Sequence, residues 1–169
     1  MLRIFQAVKG RDDQAVRDLF WAYLQWATPE VNREFGVGFD EESLLERDMC
    51  ELAKFQPPDG RLLLAEYEGE MAGIACMKKI REDLGEIKRM YVSPQFRRRG
   101  IGRALGERLI QDARVIGYRR IWLDSPSSWK GSHALYRSLG FREIGPYPES
   151  EIPVEFQPFW IFMELRQSP

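Results

Sequence analysis

Histidine occurs once in this chain and cysteine twice, and that scarcity narrows the chemistry before any motif is sought. Cys50 and Cys76 lie far apart, show no Cys-x-x-Cys spacing and share no ligand set with His133, so the sequence argues against a structural zinc and reads both thiols as buried and free. Long hydrophobic runs are missing too. No window reaches the roughly 20 apolar residues that span a bilayer, and the start MLRIFQAVKGRDD has no sustained apolar stretch behind a basic one. The expectation is a cytoplasmic protein with no membrane partner. Neither sign of charge is in excess: 25 Lys and Arg against 26 Asp and Glu leave a net charge of −1. A general nucleic-acid surface would bring a clustered basic surplus. GxxxxGK[ST] and GxGxxG are both absent, which removes the P-loop and Rossmann readings. No internal repeat, low-complexity tract or linker interrupts the 169 residues, so residues 1–169 are read as a single domain, large enough to bury about two-thirds of its unfolded surface unaided.

What the chain does contain is a chemically dense segment from Gly85 to Gly106, GEIKRMYVSPQFRRRGIGRALG. Ile87, Met90 and Val92 mark an extended stretch, Ser93-Pro94 breaks it, and three arginines precede Gly-x-Gly and a helix-like apolar pattern. A strand, a basic turn and a helix start form a ready anion site. The first N–H groups of a helix lack intrahelical partners and carry the positive end of its dipole, and arginine adds forked donors suited to phosphate oxygens. The residues themselves therefore point to a phosphate-bearing ligand.

Around this segment the hydrophobic period alternates between helix and strand. Leu2 to Val8 reads as a strand. Asp12 or Asp13 can cap a helix whose stripe runs through Val16, Leu19, Phe20, Leu24 and Ala27 and stops near Thr28-Pro29, because a residue before proline is pushed from the α region. A second helix is expected over Glu41 to Lys54. After the turn Gln56-Pro57-Pro58-Asp59-Gly60, two nearly continuous apolar runs, Leu62 to Tyr67 and Met71 to Met77, read as central strands covered on both faces. A helix follows from Ile101 to Ile116, capped by Gly117. Then come a strand over Arg120 to Asp124, a helix started by Ser127 or Ser128 and running to Leu139, and extended segments at Phe141 to Ile144 and Phe159 to Leu165. The fold class is α/β (α+β), one domain with a mixed sheet.

Arg97-Arg98-Arg99-Gly100-Ile101-Gly102, set between a strand and a helix, together with Ala134-Leu135-Tyr136-Arg137-Ser138-Leu139-Gly140-Phe141, resembles the GNAT superfamily of N-acetyltransferases. The wording EIKRMYVSP and LDSPSSWKGSHALYRSLGF resembles a bacterial small-molecule subgroup of it. The resemblance implies a mostly antiparallel central sheet flanked by helices. It also implies acetyl-CoA as co-substrate, with no metal, and direct transfer of the acetyl group to a primary amine. The pyrophosphate would lie on the amides from Arg97 through Arg98, Arg99, Gly100, Ile101 and Gly102 to Arg103. The pantetheine arm would run along Met90, Tyr91 and Val92, with the Met90 amide on the thioester oxygen. Tyr136 maps onto the family's general acid and Glu86 onto its strand glutamate, the candidate base, with Lys88 or Arg89 as possible ion-pair partners. Trp129 stands where many relatives carry a cofactor-contacting asparagine and is expected to pack on the cofactor. Dimers are common in the family, so a homodimer is compatible.

Blander readings stand beside these. A non-catalytic acyl-CoA-binding module would keep the same turn. His133 reads as a surface or packing residue. Trp21, Tyr23 and Trp26 fit a pocket wall or a core stripe, and the acidic residues Glu30, Glu34, Asp40, Glu41 and Glu42 fit an amine-attracting loop or an ordinary one. Thr28 to Asp40 and Gly145 to Pro158 are the segments that set acceptor choice in the family, and neither contains a motif that names an acceptor.

Overall fold

A computed structural model describes residues 1–168. Its elements follow the order β1 (Leu2–Gln6), α1 (Asp13–Phe35), α2 (Glu41–Cys50), a 3-10 turn (Leu52–Phe55), β2 (Arg61–Tyr67), β3 (Glu70–Arg81), β4 (Leu84–Val92), α3 (Ile101–Ile116), β5 (Arg120–Pro126), α4 (Lys130–Ser138), β6 (Arg142–Ile144) and β7 (Trp160–Arg166). The seven strands form one sheet in the order β1-β2-β3-β4-β5-β7-β6. All neighbours pair antiparallel except β4 and β5, which is the expected mixed, mostly antiparallel sheet. No helix among the described residues is long and apolar enough to cross a membrane.

The sheet is buried on both faces, which explains the continuous apolar runs of β2 and β3. Leu63, Ala75, Ile87 and Leu123 lie with α3, whose stripe of Ile101, Leu105, Leu109 and Ala113 is buried. Leu62, Leu64, Ile74 and Cys76 face Phe20 and Leu24 of α1 and Leu45 of α2. A third cluster, Leu84, Trp122, Tyr147 and Phe162, lies beneath the connection from β6 to β7.

Three boundaries differ from the sequence reading. Helix α1 does not stop at Thr28-Pro29; Pro29 lies inside it and Gly36, at φ 65°, closes it. An internal proline costs about 3 kcal/mol. Burial of Ala27, Thr28 and Val31 offsets that cost, as does the packing of Phe35 on Phe159 and Trp160 at 5.2 Å each. Helix α2 ends at Cys50 and tightens into the 3-10 turn rather than running to Lys54. Helix α4 begins at Lys130, with Trp129 rather than Ser127 or Ser128 at the N-cap position and no side-chain cap.

Candidate active site

Strands β4 and β5 pair only across Leu84 to Glu86 and Arg120 to Trp122, and then separate. The cause lies in β4. Opposite Ala75 it carries two residues, Arg89 and Met90, where one would fit the ladder, and Arg89 sits at φ 54°. This β-bulge bends the strand. Gly73 permits it: a Cβ there would meet the Tyr91 carbonyl oxygen at 2.7 Å. Asp48 of α2, 2% exposed, accepts from Arg89 Nε at 2.6 Å and Nη2 at 2.8 Å. That clamp fixes the bulge. A cleft of about 970 Å³ opens between the diverging strands and extends from α3 to the outer half of α1.

At one end of the cleft lie the turn and the start of α3. The N-cap Gly100 is left-handed, at φ 78°, and supplies no side-chain cap. The first amide with an intrahelical partner is that of Ala104, which donates to Gly100 O at 3.0 Å, so the amides of Ile101, Gly102 and Arg103 are available to an anion. Gly102 faces α4, where a Cβ would stand 3.2 Å from Leu135 Cδ2. The arginines diverge in role. Arg98 and Arg103 line the cleft, with Arg103 donating to Ser138 Oγ at 2.7 Å. Arg97 also lines it but is held, donating to the Val92 carbonyl at 3.0 Å and lying 4.7 Å from the Trp26 ring centroid. Arg99 is not on the cleft. Its guanidinium lies over Tyr67 at 5.1 Å from the ring centroid, so Arg99 offers the turn its backbone, the part the sequence reading assigned to the pyrophosphate.

The middle of the cleft is aromatic. Ile87, Met90, Tyr91 and Val92 form one edge, and Tyr23, Trp26, Trp129 and Tyr136 line it too. Trp129 stacks on Trp26 at 4.7 Å and meets Tyr23 edge-on at 6.4 Å. Its Nε1 and the neighbouring Ser128 Oγ are buried with no hydrogen-bond partner. Buried polar groups are normally paired, so two orphans on the wall, beside an uncapped helix start, fit a polar extended ligand such as acetyl-CoA. Tyr136 is 8% exposed. Burial raises its pKa, with Tyr23 and Asp124 adding to the effect. His133 is buried instead of lying on the surface, with Nε2 3.2 Å from Ser125 Oγ; it ties α4 to β5. Trp21 lies away from the cleft, beside Gln14 and Glu42. Asp40 caps α2, accepting from Ser43 N at 2.9 Å, and of the acidic residues before α2 only Glu30 lines the cleft.

At the far end the carboxylates are arranged differently from the sequence reading. Glu86 is fully buried and lies off the cleft. Tyr147 donates to its Oε2 at 2.5 Å, and Lys78 and Lys88 lie 3.5 and 3.6 Å from its Oε1. Lys88 is its partner as expected; Arg89 is committed to Asp48. At this end the carboxylates that line the cleft are Asp124 of β5 and Glu151 of the β6–β7 connection. Lys88 Nζ stands 3.4 Å from Asp124 Oδ2 and 3.8 Å from Glu151 Oε2. Burial works to lower the Lys88 pKa, and Asp124, Glu86 and Glu151 together overcome it. Burial likewise opposes ionisation of Glu151, but Lys88, Lys78 and Lys54 pull its pKa down to about 2. Sequence reasoning missed Asp124, Glu151 and Tyr147. Tyr147 and Glu151 belong to a loop without periodicity, and Asp124 reads as the polar end of a strand. Among the described residues no group of three or more His, Cys, Asp and Glu side chains is placed to hold a metal ion.

The model of the Acetyltransferase (GNAT) family matches residues 14–141. The chain belongs to this family. It is 35% identical over 136 residues, 80% of this chain and 84% of the relative, to the IAA acetyltransferase of Azospirillum brasilense. It is 32% identical over 115 residues, 66% of this chain, to the N-acetylaspartate synthetase of Rattus norvegicus, of which the match spans 38%. The PaiA N-acetyltransferase of Thermoplasma acidophilum, solved in complex with coenzyme A, superposes with a TM-score of 0.75 at 16% identity, covering 99% of each chain. An acetyltransferase of GNAT family from Staphylococcus aureus Mu50 superposes with the same TM-score, at 16% identity over 98% of this chain and 99% of that one. These two show the fold. Within this fold, the divergence of β4 from β5 and the open start of α3 frame the cleft.

Proposed function

We propose that this GNAT chain transfers the acetyl group of acetyl-CoA directly to a primary amine of a small molecule. The observation that carries the reading is one continuous cleft joining the uncapped start of α3, the free edge of bulged β4, Tyr136 and a carboxylate, Asp124. The amides of Ile101, Gly102 and Arg103, with Arg98 and Arg103, hold the pyrophosphate. The edge Met90, Tyr91 and Val92 receives the pantetheine arm as an added strand, and Ser128 and Trp129 supply polar contacts across from it. Acetyl-CoA contributes an activated thioester. The Met90 amide, fixed by the bulge, is aimed at the oxygen on which negative charge develops, which stabilises the transition state more than the ground state.

An amine of lysine-like pKa near 10.4 is protonated at neutral pH and must lose a proton before attacking. Asp124 takes that proton. Glu86, the base expected from the resemblance, is too deeply enclosed to touch an acceptor; through Tyr147 and Lys88 it positions the residues that do. As the N–C bond forms and the C–S bond breaks, the attacking nitrogen releases its remaining surplus proton to solvent, while the Tyr136 hydroxyl gives its proton to the departing thiolate and regains one from solvent. An acetyl-cysteine route is disfavoured, since burial raises the Cys76 pKa and Cys50, exposed near the end of α2 and not buried as the sequence reading had it, lies outside the cleft. The rat relative, an N-acetylaspartate synthetase, is named for a small molecule, which supports a small acceptor over a protein. The reading also places the protein in the cytoplasm and allows a homodimer.

Calorimetric titration with CoA, followed by thiol release from acetyl-CoA over an amine panel, tests this. Binding at micromolar protein and amine-dependent thiol release are expected. CoA binding without amine-dependent release would leave only an acyl-CoA-binding module, and no binding would remove both.

A further inference from the structure

The acceptor end of the cleft is built in two chemically distinct parts. Its floor is acidic. Asp124 and Glu151 line it, and together with Glu86, enclosed behind it, they share the ammonium groups of Lys88 and Lys78, three carboxylates against two ammonium groups. Lys54 reaches Glu151 only at 3.9 Å while closely paired with Glu51. Arg89 is held by Asp48, and Arg47, on the rim, is 51% exposed at its side chain and 4.0 Å from Asp48. The Lys88–Asp124 distance of 3.4 Å exceeds the 2.7–2.9 Å of a well-made charge-assisted bond. The Tyr147 proton is directed to Glu86, 2.5 Å away, rather than to Asp124 at 3.4 Å. Asp124 therefore keeps acceptor capacity on the cleft side, and a second ammonium is favoured there where a second carboxylate is repelled.

Beyond the floor the walls are apolar. Val31, Phe39, Leu44, Ile152, Phe156 and Trp160 line the space, and the polar residues near them, Glu30 and Arg47, belong to the rim. Phe39 meets Phe156 edge-on at 6.4 Å, and Phe35 stacks on Phe159 and Trp160. Of the six large hydrophobic residues exposed among the described residues, Phe39, Val154 and Phe159 belong to these mouth-forming segments, at 38%, 77% and 46% exposure. Exposed apolar residues gathered at one opening mark a binding surface. Thr28 and Glu30 are the hydroxyl and the carboxylate on this side of the cleft, too few partners for the extra ammonium groups of a polyamine or the several hydroxyls of an amino sugar.

We propose that the acceptor is a hydrophobic monoamine of arylalkyl size, its nitrogen seated on Asp124 and its apolar body laid against Phe39, Phe156 and Trp160. The assignment rests on the acetyl-transfer reading and adds the substrate class. Initial rates of thiol release from acetyl-CoA, measured on the full chain with phenethylamine, tryptamine, ethylamine, spermidine, aspartate and a tetrapeptide bearing a free N-terminus, test it. The phenethylamine kcat/KM should exceed that of ethylamine by about ten- to a hundredfold, the range that burying one aromatic ring supports. Phe156→Ser should shrink that ratio by raising KM for phenethylamine several-fold more than KM for ethylamine. Ile152→Ser probes the same wall should the first variant fail to fold, with retained CoA affinity as the check. Preference for spermidine, aspartate or the tetrapeptide overturns the proposal, as does a ratio unmoved by both variants. If CoA binds and no amine releases thiol, the acetyl-transfer reading fails and the substrate class falls with it; if polar amines alone react, only the substrate class falls.

Discussion

As the proposed acid, Tyr136 works only while it holds its proton, and its burial on the cleft wall favours the protonated form. Burial raises its pKa above the ordinary phenol value, reinforced by Tyr23 and Asp124. The protonated form therefore persists past about pH 10, and turnover should rise with pH as the acceptor amine deprotonates, with no alkaline falling limb from Tyr136 below that point. Tyr136→Phe should lower kcat by about a hundredfold or more, the usual worth of a positioned acid, and leave CoA affinity by calorimetry unchanged. His133 makes a separate prediction about stability. Burial lowers its pKa, followed by Arg137 and Lys130. Below the unperturbed value of 6.5 the unfolded chain takes up a proton that the folded chain resists. Stability to urea should be full above that pH, decline as pH falls through it, and level off below the folded-state pKa. His133→Gln should flatten that segment of the profile.

At the level of elements, the bulge in β4 is what separates a site from an ordinary sheet. A continuous β4–β5 ladder would leave no edge for a ligand, and the bulge depends on Gly73 beneath it and Asp48 beside it. Asp48→Ala leaves the Arg89 guanidinium buried without its partner, and breaking such a pair costs about 3–5 kcal/mol. A lowered urea midpoint with an unchanged m-value is expected. Gly73→Ala forces its new methyl against the Tyr91 carbonyl and should weaken CoA binding as well as stability, because the displaced strand is the one that lines the cleft. The strand–turn–helix from Glu86 to Ile116 was legible because glycine, arginine and periodic leucine each have local meanings. Trp129 and Tyr136 were legible from the helix motif that carries them. The continuation of α1 through Pro29 was not, since proline's local cost is plain in sequence while the burial that offsets it depends on chain more than 120 residues away, at Phe159 and Trp160. Glu86 was misjudged for a similar reason: alternation says that a strand residue faces inward but not which tertiary neighbours enclose it.

On the scale of the whole molecule, the sheet and its three apolar clusters hold the two ends of the cleft at a fixed separation, one end a helix start suited to phosphate and the other an acidic floor suited to an amine. The first end follows from a contiguous motif and could be read in advance. The second is assembled from β4, β5, α1, α2 and the β6–β7 connection, elements brought together only by folding, so its residues carried no linear signature. Direct transfer between the two ends is tested most directly by an acetyl balance: the chain is mixed with acetyl-CoA and phenethylamine, and free CoA thiol and N-acetylated amine are quantified together by chromatography and mass spectrometry. One thiol per acetylated amine, with no acetylated protein accumulating, is the predicted result. Thiol release without an acetylated amine, or an acetyl group retained on the protein, would contradict it.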